Sequence, residues 1–254
     1  MILVVDIGNT NIVAGCMDGK NILFRERLST AHRATKLEYS VLFKTAFDMY
    51  GIDYRGIDGA IISSVVPSVT NIVKEAIENI CAISVMVVGP GVKTGISIVI
   101  DNPAQLGSDL VVDAVAGIEE YPLPQIIIDM GTATTVSVID KKRQFLGGVI
   151  LPGVAVSHDA LIGRTSQLPK VAFEKPKKII GSNTIDSIKG GILYGNAGAI
   201  DGIIERFEEE LGEKCSVIAT GGLAKVIVPL CKREIIIDED LLLKGLMLIY
   251  EKNK

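Results

Sequence analysis

Apolar runs and polar turns alternate along the chain in a pattern that predicts its first elements. Runs with the apolar and β-branched content of strands lie at residues 2–6, 11–17 and 21–28. The Asp18–Gly19 pair separates the last two runs, which predicts a hairpin turn. Residues 37–50 carry apolar side chains at helical spacing, and Gly51 marks the end of the predicted helix. We therefore expect three strands followed by a helix.

Helices and strands then alternate to the end of the first half. Buried strands are predicted at 59–64 and 84–88, and helices at 67–80 and 104–119. Pro67 suits the first turn of its helix, because the backbone N–H that proline lacks has no partner at that position. This alternation is typical of an α/β fold.

The second half repeats the plan of the first. Residues 125–129 form an apolar run that ends in an acid, and a Gly-Thr turn and two strand-like runs follow. DIGNT at 6–10 and DMGTATT at 129–135 occupy the same place in the two halves. The repeat predicts two similar halves, residues 1–118 and 119–254. Further strands are predicted at 133–139, 144–151, 216–219 and 234–237, and further helices at 153–163, 184–211 and 239–251.

Composition and charge narrow the classes of function. Of the 254 residues, 48% are hydrophobic, which is enough for a large core and excludes a disordered chain. The net charge is −4, so we expect no general attraction to nucleic acid or to an anionic membrane. The four cysteines are widely scattered, which excludes a disulfide scaffold. The chain has two histidines, too few for a histidine-rich metal site, and we expect one of them, His158, at the surface or at an interface. No apolar run approaches the ~20 residues of a membrane-spanning helix, and we expect a cytoplasmic protein.

The sequence VVDIGNTN at residues 4–11 has the features of a phosphate loop. An apolar strand brings Asp6 to its end, Gly8 allows a turn with positive φ, and Asn9 and Thr10 supply backbone amides that can surround an anion. A carboxylate cannot bind phosphate directly, so Asp6 would act through a divalent cation or its waters. On its own, this element is more typical of an ordinary turn after a strand.

A second element of the same kind changes that interpretation. IIIDMGTATT at 126–135 repeats the acid, the glycine and the hydroxyl residues, and two such loops are what a nucleotide-dependent phosphotransferase requires. A third element, IATGGLA, leads a strand into Gly221 and Gly222, where an adenine ring could approach the backbone. The sequence has neither the GxxxxGK[ST] of P-loop proteins nor a GxGxxG after a strand.

These three elements resemble the nucleotide motifs of type III pantothenate kinases, also labelled the Bvg accessory factor family, in the acetate kinase, sugar kinase and actin superfamily. SSVVP, VVGPGVKTG, GGVILPG and KGLMLIYE are also similar, and the resemblance covers nearly the whole chain. It implies a duplicated ribonuclease-H-like, actin-like ATPase fold with ATP in a cleft between two halves. It further implies phosphorylation of the primary hydroxyl of pantothenate, the first step of coenzyme A biosynthesis. The implied cofactors are Mg²⁺ and a monovalent cation, K⁺ or ammonium, and the implied assembly is a homodimer whose partner contributes to the acceptor site.

The resemblance also implies roles for individual residues. Asp6 is expected near the magnesium, and Asp129 is expected to bind the monovalent cation. Asp109 resembles the general base that accepts the hydroxyl proton of pantothenate, and Thr184 matches a threonine that contacts the acceptor across the dimer. The residues expected to bind ATP are Asp6, Gly8, Asn9, Thr10, Asn11, Gly131, Thr132, Gly221 and Gly222, and those expected to bind the acceptor are Gly107, Ser108, Asp109 and Thr184.

The acceptor motif is where the chain departs from the family pattern. The family reads Gly-x-Asp-Arg, whereas this chain reads Gly107-Ser108-Asp109-Leu110, and Ile100 replaces a substrate-contacting tyrosine. The side chains of Leu110 and Ile100 cannot donate a hydrogen bond. Losing a charge-assisted hydrogen bond costs about 1.5–3 kcal/mol. The sequence leaves three functions open: a weakened pantothenate kinase, a kinase for a different hydroxyl acceptor, or a nucleotide-binding regulatory homologue that has lost catalysis.

Overall fold

The computed structural model describes all 254 residues and divides into two compact units. The predicted halves place residues 240–254 in the second half, whereas the structure groups them with unit 1. None of the helices is both long and apolar enough to cross a membrane. Unit 1 comprises Met1–Ile96, Asp101–Glu119 and Asp240–Lys254, and unit 2 comprises Ser97–Ile100 and Glu120–Glu239.

Unit 1 contains a five-stranded sheet in the order β3-β2-β1-β4-β5. Strand β2 is antiparallel to β1 and β3, whereas β4 is parallel to β1 and β5 is parallel to β4. Short 3₁₀ helices lie at Tyr54–Gly56 and Pro103–Gln105. The strands are β1 (Ile2–Ile7), β2 (Asn11–Asp18), β3 (Asn21–Ser29), β4 (Gly59–Ser64) and β5 (Val85–Val87), and the helices, numbered along the whole chain, are α1 (Lys36–Met49), α2 (Pro67–Cys81), α3 (Ser108–Glu120) and α7 (Leu241–Asn253).

Unit 2 contains a six-stranded sheet in the order β11-β10-β7-β8-β9-β6. A further 3₁₀ helix lies at Val228–Leu230. The strands are β6 (Ser97–Ile98), β7 (Gln125–Met130), β8 (Ala133–Ile139), β9 (Gln144–Pro152), β10 (Ser216–Thr220) and β11 (Ile236–Ile237), and the helices are α4 (Val154–Gly163), α5 (Thr184–Leu211) and α6 (Ala224–Ile227).

The two sheets repeat one arrangement down to the pairing of single residues. The order β3-β2-β1-β4-β5 in unit 1 corresponds to β9-β8-β7-β10-β11 in unit 2, and β1 and β7 share the same succession of buried and half-buried positions. Asp6 pairs with Ser63 on β4, and Asp129 pairs with Thr220 on β10, at equivalent places in the two sheets. The predicted duplication is therefore confirmed.

The central strand of unit 1 is buried on both faces. Leu3 and Val5 point into a core that contains Phe43 of α1, whereas Val4 packs in a second core with Leu246 of α7. A strand that is covered on both sides has an almost continuous apolar sequence, which explains the ILVV run. The C-terminal helix therefore belongs to the core of unit 1.

Most of the predicted elements are confirmed, but the start of α3 is not. The predicted helix over 104–119 begins only at Ser108, because Pro103–Gln105 forms a separate 3₁₀ turn that Asn102 caps with its side chain. Apolar periodicity cannot separate two consecutive helical turns of different type, so the sequence merges them. Strand β6 was not predicted either, since two residues are too short to show alternation.

His158 is also placed differently from the expectation. It is only 1% exposed, its Nε2 accepts the Val171 N–H at 3.3 Å, and its ring packs edge-on against Phe173. The expectation of a surface or interface histidine was therefore wrong. Through these contacts the His158 ring packs the segment around Val171 and Phe173 against α4.

Candidate active site

The first predicted phosphate loop is the turn between β1 and β2. Asp6 is half-buried near the end of β1, and Asn9 and Thr10 are exposed in the turn. Gly8 donates its N–H to the Asn11 carbonyl at 3.0 Å and does not have the positive φ that we expected. A Cβ on Gly8 would lie 3.1 Å from that carbonyl oxygen, so a larger residue would crowd the contact that closes the turn.

The acceptor motif forms the N-terminus of α3 in the same unit. Gly107 precedes the helix, and Ser108 and Asp109 are its first two residues. The Asp109 Oδ1 accepts the Leu110 N–H at 2.9 Å. A Cβ on Gly107 would overlap this Oδ1 atom, so the glycine makes room for the carboxylate.

Burial raises the pKa of the Asp109 carboxyl above its ordinary value, and the N–H groups of Leu110 and of Asp109 itself lower it in part. A carboxylate with a raised pKa binds a proton more tightly than an exposed aspartate does. This is the property of a general base that must accept a proton during a reaction.

Ser108 connects the acceptor motif to the central sheet of unit 1. Its hydroxyl lies 2.9 Å from the Ser63 hydroxyl and accepts the Ser64 N–H at 3.0 Å. Ser63 is the β4 residue that pairs with Asp6 of β1. The structure therefore brings the first predicted phosphate loop and the predicted acceptor motif to the same end of one sheet, where the parallel strands present their carboxyl ends.

The second and third predicted elements meet in unit 2. Asp129 on β7 pairs with Thr220 on β10 and with Thr135 on β8. Gly221 has a φ of +91°, and a Cβ on it would lie 2.6 Å from both Asp129 Oδ1 and the Met130 nitrogen. Only glycine allows the GGL turn to cross the end of β7, which brings the predicted adenosine motif against the predicted cation ligand.

The turn between β7 and β8 is supported by a glycine to which the sequence had assigned no role. Gly131 and Thr132 are exposed in this turn. Gly153 donates its N–H to the Thr132 carbonyl at 3.1 Å, and a Cβ on Gly153 would overlap the carbonyl oxygens of both turn residues. Its position in GGVILPG, directly before a helix, is the only signal that could have indicated this contact.

The oxygen atoms around Asp129 fit a cation. Thr135 Oγ1 is buried and makes no hydrogen bond, and its side chain shares a sheet face with Asp129 because directly paired residues point the same way. Carboxylate and hydroxyl oxygens are suitable ligands for a hard cation. The structure contains no group of three or more acidic, histidine or cysteine side chains that could hold a metal ion.

Thr184 is the first residue of α5 and is distant in sequence from both predicted phosphate loops. It is exposed, and the preceding Asn183 caps the helix by accepting the Asp186 N–H at 2.9 Å. Thr184 lines a groove of about 880 Å³ in unit 2, together with Ser157, Leu161 and residues of the segment before α5.

The predicted site residues divide between the two units. Asp6, Gly8, Asn9, Thr10, Asn11, Gly107, Ser108 and Asp109 belong to unit 1. Asp129, Gly131, Thr132, Thr184, Gly221 and Gly222 belong to unit 2.

The repeated sheet with an acid-ended hairpin in each unit is a duplicated ribonuclease-H-like fold of the actin-like class. Solved structures share this fold. A conserved Baf family protein from Campylobacter jejuni aligns with a TM-score of 0.61 at 18% identity, covering 99% of this chain and 98% of that one. Component A of the (R)-2-hydroxyglutaryl-CoA dehydratase of Acidaminococcus fermentans aligns with a TM-score of 0.59 at 13% identity, covering 100% and 99%.

Sequence similarity identifies the family within this class. The family model described as type III pantothenate kinase matches residues 2–206. The chain is 44% identical over 253 residues to a type III pantothenate kinase from Halalkalibacterium halodurans, and 43% identical over 253 residues to one from Syntrophus aciditrophicus, covering 100% of each chain. The protein belongs to the type III pantothenate kinase family.

Proposed function

We propose that this protein transfers the γ-phosphoryl group of ATP to the primary hydroxyl of pantothenate, the first step of coenzyme A biosynthesis. Membership in the family supports this activity, and the similarity to the relative from Halalkalibacterium halodurans covers the whole chain. The observation that carries the proposal is the position of Asp109. Asp109 lies in the first turn of α3, and the hydroxyl of Ser108 bonds the start of this helix to β4. Strand β4 pairs with β1, which carries Asp6 of the first phosphate loop.

Asp109 is the general base in this mechanism. Its Oδ1 accepts the Leu110 N–H, so we assign Oδ2 to the acceptor hydroxyl. The carboxylate orients the hydroxyl for in-line attack and takes its proton late in the transfer, when the oxygen is bonding to phosphorus. The raised pKa of Asp109 strengthens its affinity for that proton.

The phosphate loops hold the triphosphate. We assign Asn9, Thr10 and Asn11 of the first turn and Gly131 and Thr132 of the second turn to the ATP phosphates. Short turns with exposed backbone can place N–H groups against an anion without side-chain bulk. Gly221 and Gly222 are assigned to the adenosine end of the nucleotide.

Two cations complete the proposed nucleotide site. Asp6 would hold Mg²⁺ by a single carboxylate, the usual arrangement when substrate phosphates supply other ligands. When bound, the ion neutralises charge on the transferring phosphoryl group. Asp129 would hold the monovalent cation, K⁺ or ammonium, with the buried Thr135 hydroxyl as a second oxygen ligand.

Thr184 is assigned to the acceptor site of a partner subunit in a homodimer. The residues around it support an interface: Ile180 is 83% exposed, and Ile179 and Ile185 are also exposed. Large apolar side chains clustered within seven residues are unusual on a monomer surface and typical of a surface that a partner covers.

A kinase for a different hydroxyl acceptor is the second candidate, and Leu110 favours it. Residues 107–112 contain no cationic side chain that could pair with the carboxylate of pantothenate. The side chain of Ile100 has no hydrogen-bonding group, and its Cγ2 would lie 3.8 Å from a Cβ placed on Gly147 of β9. A neutral acceptor would lose nothing from these two replacements.

A coupled ADP-release assay with a panel of hydroxyl acceptors tests the proposal. We expect ADP release that depends on pantothenate and Mg²⁺ and that rises with K⁺ or ammonium. ADP release with another acceptor alone would favour the second candidate. Absence of ADP release with every acceptor, with ATP still bound, would contradict the kinase assignment.

A further inference from the structure

The hydroxyl of Ser108 makes its hydrogen bonds to residues at the end of β4. It accepts the Ser64 N–H at 3.0 Å, and it lies 3.0 Å from the Ser64 carbonyl and 2.9 Å from the Ser63 hydroxyl. A serine hydroxyl has one proton to donate. The Ser64 carbonyl and Ser63 Oγ are both within reach of that proton, so the hydroxyl satisfies its bonds within unit 1.

We propose that Ser108 is a positioning residue that acts through Asp109, rather than an acceptor-binding residue. Its hydroxyl fixes the first turn of α3 to the carboxyl end of β4, and the next residue along the helix is the base. This inference deepens the proposed function and rests on Asp109 as the base. It replaces the role in acceptor binding that the sequence resemblance implies for Ser108.

A second set of hydroxyl bonds holds the β4 end in turn. Thr70 of α2 donates to the Ser64 hydroxyl at 2.7 Å, or to the Val66 carbonyl at 2.9 Å, and Ser64 Oγ accepts the Val66 N–H at 3.0 Å. The end of β4, to which Ser108 is bonded, is therefore itself hydrogen-bonded to α2. A base anchored in this way has little freedom to move.

The anchor also fixes the base relative to the phosphate loop. Ser63 is buried and pairs with Asp6 in the β1–β4 register. The hydrogen bond between the hydroxyls of Ser108 and Ser63 sets the start of α3 beside the end of β1. In-line transfer depends on such placement, because small errors in the position of a catalytic group cost large factors in rate.

The test compares Ser108→Ala with Ser108→Thr, which keeps the hydroxyl, and with Thr45→Ala. Thr45 is a matched control because its hydroxyl donates only to the Val41 carbonyl on the exposed face of α1. We expect Ser108→Ala to lower kcat with pantothenate about tenfold, because a small displacement of the base from its working position costs a large factor in rate. The KM for pantothenate and the Kd for ATP should change less than about twofold, and Ser108→Thr should recover most of the rate.

Three outcomes would overturn the inference. A raised KM for pantothenate with unchanged kcat would show direct acceptor binding by Ser108. An equal loss of ATP affinity and rate would show a general structural role, and a wild-type rate in Ser108→Ala would show no role.

Hydrogen exchange at the Ser64 amide separates this inference from the proposed function. Its N–H donates to Ser108 Oγ, so its exchange should quicken about tenfold in Ser108→Ala and not in Thr45→Ala. If the wild type fails to phosphorylate pantothenate, the proposed substrate is wrong, and this measurement still decides the anchor. Unchanged exchange at Ser64 and at Leu110 would contradict the anchor whatever the acceptor is.

Discussion

At the scale of single residues, the charge of Asp109 is under two opposing influences. Burial disfavours the carboxylate, and the adjacent backbone N–H groups favour it, with burial the larger effect. Gly107 allows the carboxylate to lie close to the backbone at the helix start. The result is a carboxylate that binds a proton more tightly than an exposed aspartate does.

The raised pKa of Asp109 predicts a pH-dependent effect of Asp109→Asn on stability. The folded state binds this proton more tightly than the unfolded chain, so the stability from this group is full below the unfolded pKa and is lost as pH rises through the folded pKa. We expect Asp109→Asn to have a higher free energy of unfolding than the wild type at pH 7. Urea unfolding at several pH values should show this difference shrinking toward pH ~4, near the ordinary pKa of aspartate. A difference that grows as pH falls would contradict the assignment.

Leu110→Arg tests the departure from the family pattern. A guanidinium offers a planar set of donors that matches a carboxylate, and its charge would keep Asp109 ionised. For a weakened pantothenate kinase, we expect kcat/KM with pantothenate to rise at least about tenfold, or about 1.4 kcal/mol. The double variant with Ile100→Tyr shows whether Ile100 also limits the rate. No detectable turnover of pantothenate by the wild type, the single variant or the double variant would instead favour a different hydroxyl acceptor or a regulatory homologue.

At the scale of elements, each acid-ended hairpin was predictable and its tertiary contacts were not. The apolar runs ending in Asp6 and Asp129 indicate buried strands with a polar end, and the structure confirms both. The contact between Gly221 and Asp129 joins residues 92 positions apart along the chain, which no local pattern can show. The separate 3₁₀ turn before α3 was missed because its periodicity is helical too.

Gly221→Ala tests the crossing of β7 by the GGL turn. The substitution adds a Cβ at positive φ and 2.6 Å from Asp129 Oδ1, so it should lower the free energy of unfolding by about 2–4 kcal/mol and weaken ATP binding. Gly212→Ala is the matched control, because Gly212 has a φ of +72° with nothing within 4 Å of its Cβ position. It should cost only about 1 kcal/mol and leave the Kd for ATP unchanged. Equal effects of the two variants on both quantities would contradict the account.

At the scale of the whole molecule, the chain is a duplication whose second half does not end where the sequence suggests. The repeated succession of elements could be inferred from two short motifs, because DIGNT and DMGTATT occupy the same place in the two halves. The order of the strands in each sheet was not predicted and comes from the structure. The placement of α7 in unit 1 could not, since an amphipathic helix shows which of its faces is buried and not which sheet covers it.

Gly245→Ala tests the packing of α7 in unit 1. A Cβ on Gly245 would overlap the Val112 carbonyl oxygen of α3, so the helices must separate, and we expect a loss of about 1–3 kcal/mol in the free energy of unfolding. Gly198 of α5 has nothing within 4 Å of its Cβ position, and Gly198→Ala should stabilise the protein by about 0.5–1 kcal/mol through helix propensity. Thermal or urea unfolding that gives both changes the same sign would contradict this packing.

The most direct test of the central claim is phosphopantothenate formation by Asp109→Asn, measured beside calorimetric ATP binding. We expect turnover to fall by at least about a hundredfold, because the amide cannot accept the hydroxyl proton. The Kd for ATP should stay within about twofold of the wild-type value, because Asp109 is assigned to the acceptor and not to the nucleotide. Turnover equal to that of the wild type would contradict the account.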